Sequence, residues 1–556
     1  MIDQELPDRE PPRDSLLPKT TPQPAVEIPS HLGFDYGFLT DHEFLPPFVG
    51  ASDHALFGAS CRLRRRELSR VVTMQGRRDS RVGLRPHEIA MPEFWGLFAH
   101  DHAPRNLLLP GRLLLGQHLL DRHLLLIGPP GAGKTTQVVL PLISSLLADA
   151  RRTVVVFDPK GDQYHTIRQL AARHGRRRGT WLLNLGDADA GLGWNPVRPD
   201  LRRDEALAIA TSLVMASENR SSNDSPFWRN ISIELITDVL VGLSHDPCET
   251  ATLPRVLEIV QLPRPELLIW LRNHGARRFA AFLESGSHNA ETCLADTGMR
   301  LLALHDPQLC EVLSRDELDL DRLFRTPGVL VIQASEARID RYRPILNLLV
   351  QQLLDRAIAA ADARRDGRLR FPVSVVIDEF ASAIGALPRM PVYLNTLRSR
   401  RVGIVAAVQG LGQLHGLYGA DAGAISVGFG SRIYFPGVTV EDAEAASRAA
   451  GTMTACRLPR VPFPIERRVY CADEIRMPRE HPVLGRPATL QLADVPTFQG
   501  YFVPSYRQVE FQQLSTRKPR RRRPARESAK RPTQRLLPLT ELLGRASNRF
   551  VTDYDE

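Results

Sequence analysis

An α/β fold built on a mostly parallel sheet is the architecture this sequence predicts, and three observations predict it. Short apolar runs of strand length recur along the chain: LLLI (124–127), TVVVFDP (153–159), GVLVIQAS (328–335), PVSVVIDEF (372–380) and RVGIVAAVQ (401–409). Helix-length segments separate them, and a strand, a crossover and a second strand make a parallel unit. The first run passes straight into Gly128, Pro129, Pro130, Gly131, Ala132, Gly133, Lys134, Thr135 and Thr136, which opens the helical pattern TQVVLPLISSLL. The spacing G-x-x-x-x-G-K-[ST] between an apolar strand and a helix is that of a phosphate-binding loop.

In chain order, residues 1–32 hold many prolines and charges and read as a disordered lead-in. Residues 33–104 form a packing segment with some strand character, RLRRRELSRVVTM being one candidate. NLLLPGRLLLGQH (106–118) reads as a hairpin centred on Pro110-Gly111. Residues 105–199 make the first part of the α/β domain, with WLLNLG (181–186) as a further strand. From 200 to 325 helical periodicity takes over, as in DEALAIATSLVMAS and FWRNISIELITDVLVGL, and this reads as an inserted all-α domain. The sheet resumes over 326–513. SRIYFPG (431–437) reads as an outer strand, VEDAEAASRAAG (440–451) as a helix stopped by glycine, and LQLADVPTFQGYFVP as a final strand pair. Residues 514–556 form a basic, disordered tail.

Charge and cysteine content narrow the functional classes. The net charge is +9, yet ten Lys/Arg and one acid between Arg517 and Arg535 account for all of it. The basic signal therefore belongs to the tail, a segment suited to nucleic acid or anionic lipid, and the remaining chain is formally neutral. Six scattered cysteines with no C-x-x-C pair suggest neither a zinc module nor a disulfide framework. No uninterrupted apolar run approaches the roughly 20 residues of a bilayer span. Neither a G-x-S-x-G nor an H-E-x-x-H motif is present.

The chemistry-bearing residues sit where the apolar runs end. The glycines of the loop let backbone N–H groups turn around a phosphate, Lys134 reaches the outer phosphates, and the Thr135 hydroxyl can ligate Mg²⁺. The helix that follows points its positive end at the same anion. VVIDEF places Asp378 and Glu379 at the tip of a buried strand. The first acid can hold the Mg²⁺ shell and the second can take a proton from an attacking water, which implies hydrolysis. Gln409 ends the next strand, where a polar side chain can contact the γ-phosphate. Among the arginines between those strands, Arg398 and Arg400 are candidates for a finger reaching a neighbour's nucleotide, a device worth about 10³–10⁵ in rate.

Taken together, GPPGAGKTT, VVVFDPKGDQY, GWNPV, SPFWRN, VVIDEFASAIGALP, LRSRRVGIVAAVQGLGQLHGLYG and VEDAEAASRAAGTMT resemble the type IV secretion coupling proteins, the TraG/TraD-like ATPases of bacterial conjugation. The resemblance spans roughly residues 105–455 in order. It implies a RecA-like P-loop ATPase domain with an inserted all-α domain, using ATP and Mg²⁺ and assembling as a homo-hexamer around DNA. Lys134 and Thr135 match its nucleotide loop, Asp378 and Glu379 its two acids, and Gln409 its polar strand end. It further implies partners: DNA held through its backbone, a relaxase or other secreted protein on the all-α domain, and type IV secretion components. Most members begin with transmembrane helices and this chain shows none. The expectation is therefore a bacterial cytoplasmic protein, either of a soluble branch of the family or a motor held at the cytoplasmic face of the inner membrane by a separate anchor protein. Two other readings stay open: a segregation motor of the FtsK/HerA kind, and an ATP-dependent docking platform that pumps nothing.

Overall fold

The computed structural model describes residues 106–514, apart from 218–225, 285–287, 458–463 and 482–483, together with short strands at 48–49, 72–74 and 89–99. The expected disordered termini, 1–32 and 514–556, fall outside that range save for Leu514. Fifteen strands are described. The first five are β1 (Phe48–Val49), β2 (Val72–Met74), β3 (Ile89–Ala99), β4 (Asn106–Leu115) and β5 (Leu124–Ile127). Next come β6 (Thr153–Asp158), β7 (Thr180–Asn184), β8 (Val329–Gln333), β9 (Val373–Ile377) and β10 (Val402–Val408). The last five are β11 (Ser431–Tyr434), β12 (Thr452–Arg457), β13 (Pro464–Arg468), β14 (Ala488–Gln491) and β15 (Phe498–Phe502).

Twelve of them make one sheet in the order β2-β4-β3-β15-β14-β11-β5-β10-β9-β6-β8-β7. The seven from β11 to β7 run parallel, and the other five extend that edge antiparallel. Every residue of β5, β6, β8, β9 and β10 is buried. Their unbroken apolar runs follow from this, since both faces of a parallel sheet are covered by helices. The pleat sorts the side chains. Leu124 and Leu126 pack with the helices Leu140–Ala148 and Tyr164–Arg173, while Leu125 and Ile127 pack with the opposite layer. That second layer contains the long helix Ile339–Asp362, the helix Met390–Ser399 and the helices between 203 and 325.

Two expectations need correction. The segment 106–115 is one straight strand and not a hairpin, because it pairs along its length with β3. Pro110 lies opposite Trp95, just beyond the positions that β2 pairs, where a missing N–H is tolerated. The irregularity sits in β3 instead, as a bulge between Met91 and Phe94 that contains Pro92. Strand β11 is interior, not outer: it pairs with β5 on one side and with β14 on the other. Between β7 and β8 the described residues form helices and no strand. No helix among the described residues is long and apolar enough to cross a membrane.

His123 fixes the start of β5. It is fully buried with a positive φ of 63°. Its Nδ1 accepts the Ile404 N–H at 3.0 Å, so its Nε2–H donates to the Leu394 carbonyl at 2.9 Å. Burial lowers its pKa to about 4, and the ring stays neutral.

Candidate nucleotide-binding and hydrolysis site

The parallel register delivers the site residues to one edge. Ile127 pairs with Val408, and Ile377 pairs with Phe157 and Ala406, so the phosphate loop, Asp378-Glu379, Asp158 and Gln409 all follow the C-terminal ends of adjacent strands. Ligands of open α/β sheets bind at such an edge. Gly128 bonds back to the Val408 carbonyl at 3.2 Å. A Cβ at Gly128 would stand 2.7 Å from the Cβ of Phe435, so only glycine lets the loop leave the strand beside β11. Gly131 and Gly133 take φ of 78° and 89°, the conformations that turn the loop amides inward.

Helix geometry after the loop is unusual. Residues Lys134–Val139 form a π-turn in which the Leu140 N–H reaches the Thr135 carbonyl, five residues back. Pro141 explains it. Proline has no N–H for the residue four positions earlier and its ring crowds that carbonyl, so a wider turn absorbs it.

Lys134 is buried, and its ammonium donates to the carbonyls of Gly128 (2.5 Å) and Pro129 (3.1 Å). Burial lowers its pKa, while the charges of Glu379 and Asp378 raise it. Thr136 Oγ1 donates to the Gly133 carbonyl at 3.4 Å. Thr135 Oγ1 donates to Asp378 Oδ2 at 2.8 Å, bringing together the two residues expected at the metal.

Asp378 is 1% exposed. Burial raises its pKa, and hydrogen bonds from Thr135 and Gln163 oppose that rise. The Gln163 bond, Nε2 to Oδ2 at 3.0 Å, comes from the DPKGDQ loop. Asp158 shapes that loop: it accepts the N–H groups of Gly161 (3.1 Å) and Gln163 (2.9 Å) and the Gln333 amide (2.8 Å). A continuous line of side-chain and backbone bonds therefore joins the tips of β8, β6, β9 and the phosphate loop. Gln163 Oε1 is buried and has no hydrogen-bond partner.

Glu379 has φ 65° and ψ 54°, a left-handed conformation that costs a non-glycine residue about 1–3 kcal/mol. The turn takes its carboxylate off the strand line, where Oε2 accepts the Gln409 amide at 3.2 Å. The Gln409 N–H is held by Gln413 Oε1 at 2.9 Å. Next along, the Leu411 N–H donates to buried Asp442, whose own N–H is capped by Thr439.

The two arginine candidates stand elsewhere. Arg400 is tied to Asp362 at 2.7 Å, and Arg398 is exposed on the helix Met390–Ser399. Both precede Val402, the first residue of β10, and so lie at the sheet edge opposite their own phosphate loop. Sequence reasoning missed Gln163, Gln333 and Asp442. Gln333 carried the signal that picked out Gln409, a polar residue closing an apolar strand. Gln163 and Asp442 carried none, because their roles depend on loops meeting across the sheet.

The residues present fit a nucleoside triphosphate with Mg²⁺: inward loop amides, an ammonium, and a hydroxyl and carboxylate side by side as hard oxygen donors. No group of three or more His, Cys, Asp and Glu that could hold a metal ion occurs among the described residues.

Residues 105–457 match the family model described as type IV secretory system conjugative DNA transfer. Among solved structures, the chain is similar to the plasmid coupling protein TrwB in complex with the non-hydrolysable ATP analogue ADPNP. That likeness has 19% identity, covers 85% of this chain and 99% of that one, and has a TM-score of 0.61. TrwB in complex with ADP and Mg²⁺ is also similar, at 21% identity over 73% of this chain and 88% of that one, with a TM-score of 0.56. At these identities the likeness is one of fold. No curated protein matches the chain at the sequence level.

Proposed function

Because the chain belongs to the type IV secretory system conjugative DNA-transfer family, we propose that it is an ATP-hydrolysing coupling protein that drives DNA toward a conjugative secretion machine. The observation that carries the reading is the pairing of two acids with two different partners around one phosphate loop: Thr135 with Asp378, and Gln409 with Glu379. This division separates holding a cation from activating water. Loop amides and Lys134 bind the phosphates. Thr135 and Asp378 would hold the Mg²⁺ shell, where the ion would supply neutralisation of the charge developing on the transferred phosphoryl group. Glu379 accepts the proton of the attacking water, with Gln409 fixing its carboxylate. Arg398 or Arg400 completes the site of the next subunit in a homo-hexamer. TrwB has been described with ADP and Mg²⁺ and with ADPNP, which supports ATP and Mg²⁺ as the cofactors here. DNA is held through its phosphate backbone in a manner indifferent to sequence. The relaxase-bound substrate meets the helical region 200–325.

The test is ATP turnover of the full chain with and without long single- and double-stranded DNA at low salt. A several-fold rise with DNA is expected. Glu379→Gln should lower turnover at least about 100-fold, and truncation after Gln513 should leave residual stimulation. Turnover indifferent to DNA would replace the motor with a docking platform.

A further inference from the structure

A cavity of about 740 Å³ opens at the other end of the sheet, between the helices Arg203–Ser217 and Ile339–Asp362 and the segments that lead into β8 and β9. Its floor is apolar and buried: Leu201, Ile209, Phe324, Leu348 and Leu369. Its walls are rich in arginine, and most of that charge is already matched. Arg198 pairs with Asp321 at 2.8 Å, Arg325 with Asp319 at 2.8 Å, and Arg364 with Asp366 at 3.3 Å. The other two lining acids are taken as well. Glu205 accepts the Arg202 N–H at 3.1 Å, and Asp355 accepts from Arg389 at 2.7 Å and from Tyr393 at 3.0 Å.

Arg356 and Arg370 are left over. Among the described residues no hydrogen bond or ion pair reaches Arg356, which projects from the long helix into the cavity wall; burial lowers its pKa, as does the charge of Arg198, while the charges of Asp321, Asp319 and Asp316 raise it. Arg370 is exposed, lies over the Phe371 ring at 5.1 Å and makes no ion pair among the described residues. A partly desolvated guanidinium without an acceptor is unfavourable, and the acceptor that matches its planar fork is a carboxylate or a phosphate. Half-buried Arg356 and exposed Arg370, both lining a cavity with an apolar floor, suit a phosphate oxyanion attached to an apolar body. The volume suits a ligand of that size, within the roughly 300–1,000 Å³ of small-molecule sites.

We propose that this cavity binds a nucleoside phosphate ester, with the phosphate on Arg356 and Arg370 and the base on the apolar floor. The ester comes either from a free nucleotide or from a DNA strand. The site is separate from the phosphate loop, and its test involves no hydrolysis, so it stands or falls apart from the proposed motor.

Binding is measured by calorimetry on the full chain carrying Lys134→Ala, which disables the phosphate loop. The probes are thymidine and deoxyadenosine 5′-monophosphates, 5′-phosphorylated tetrathymidylate and inorganic phosphate. Saturable binding of at least one nucleoside phosphate at one per chain is expected. Arg356→Gln should weaken it about tenfold or more, as loss of a charge-assisted fork does. Arg356→Lys should weaken it less, and Arg365→Gln at an exposed position outside the cavity should leave it unchanged. Equal binding by mononucleotide and tetranucleotide identifies a free nucleotide as the source, and binding by the tetranucleotide alone identifies a strand. The proposal is overturned if no nucleoside phosphate binds saturably, if Arg356→Gln binds as well as its parent, or if inorganic phosphate binds as tightly as the esters.

Discussion

Gln163 lies outside the phosphate loop, yet it donates at 3.0 Å to the same Asp378 oxygen that Thr135 reaches at 2.8 Å. Partners that orient a metal-binding carboxylate are typically worth about 10–100-fold in metal affinity. Gln163→Leu should therefore raise the Mg²⁺ concentration needed for half-maximal ATP turnover by about tenfold, read from a Mg²⁺ titration at saturating ATP. His123 makes a second residue-scale prediction. Unfolded, an imidazole takes its proton near pH 6.5; folded, burial holds His123 down to about 4. Between those values the unfolded chain binds more protons, so acidification costs stability, by about 3 kcal/mol once the pH falls to 4. Nearby Asp121, raised to about 6 by burial, works in the opposite sense over much of the same window. Selective labelling of the imidazoles for NMR should show one histidine, absent in His123→Gln, that titrates near pH 4.

At the scale of elements, the apolar strand runs were legible because burial on both faces leaves no place for polar alternation. The acids and amides that end them were legible for the same reason, since a polar residue closing such a run has to stand at the rim. What hid was anything decided by pairing. Pro110-Gly111 carries a turn dipeptide, but β3 lies alongside and keeps the segment extended. The segment 431–434 resembles an edge until β14 covers it. The π-turn at Lys134–Val139 was readable only in hindsight, from Pro141 placed one turn inside a helix. The helix Val440–Ala450 shows how an element can act at a distance from its own chain segment. Its Asp442 caps the backbone just after Gln409. Asp442→Ala leaves a buried N–H unmatched and should cost about 1–3 kcal/mol of stability. It should also lower ATP turnover while leaving the affinity for a non-hydrolysable analogue unchanged, measured by thermal unfolding, steady-state kinetics and direct binding.

Across the whole molecule, the core of the helices between 203 and 325 is continuous with that of the sheet. Leu213, Leu235 and Leu243 share one hydrophobic cluster with Leu349 of the long helix and with Ile127 and Phe157 of the sheet. The helical character of the insertion was plain from periodicity, but this shared burial was not, because periodicity names an apolar face without naming what it meets. Excising 200–325 should therefore give an insoluble chain with degraded sheet signal, checked by fractionation and circular dichroism. Single replacements of exposed positions, such as Met299 and Leu302, are the way to test the proposed partner binding there. The bonds running Gln333–Asp158–Gln163–Asp378–Thr135 have a consequence of another kind. The links are side chain to side chain except at Asp158–Gln163, where the Gln163 backbone N–H makes the bond, so a replacement at Gln333, Asp158, Asp378 or Thr135 strands a neighbour and one at Gln163 strands Asp378. Such positions are not free to drift one at a time. Descendants of this gene should either keep the five together or exchange several of them in concert, and a change at Gln333 should turn tolerable only in a background already altered at Asp158.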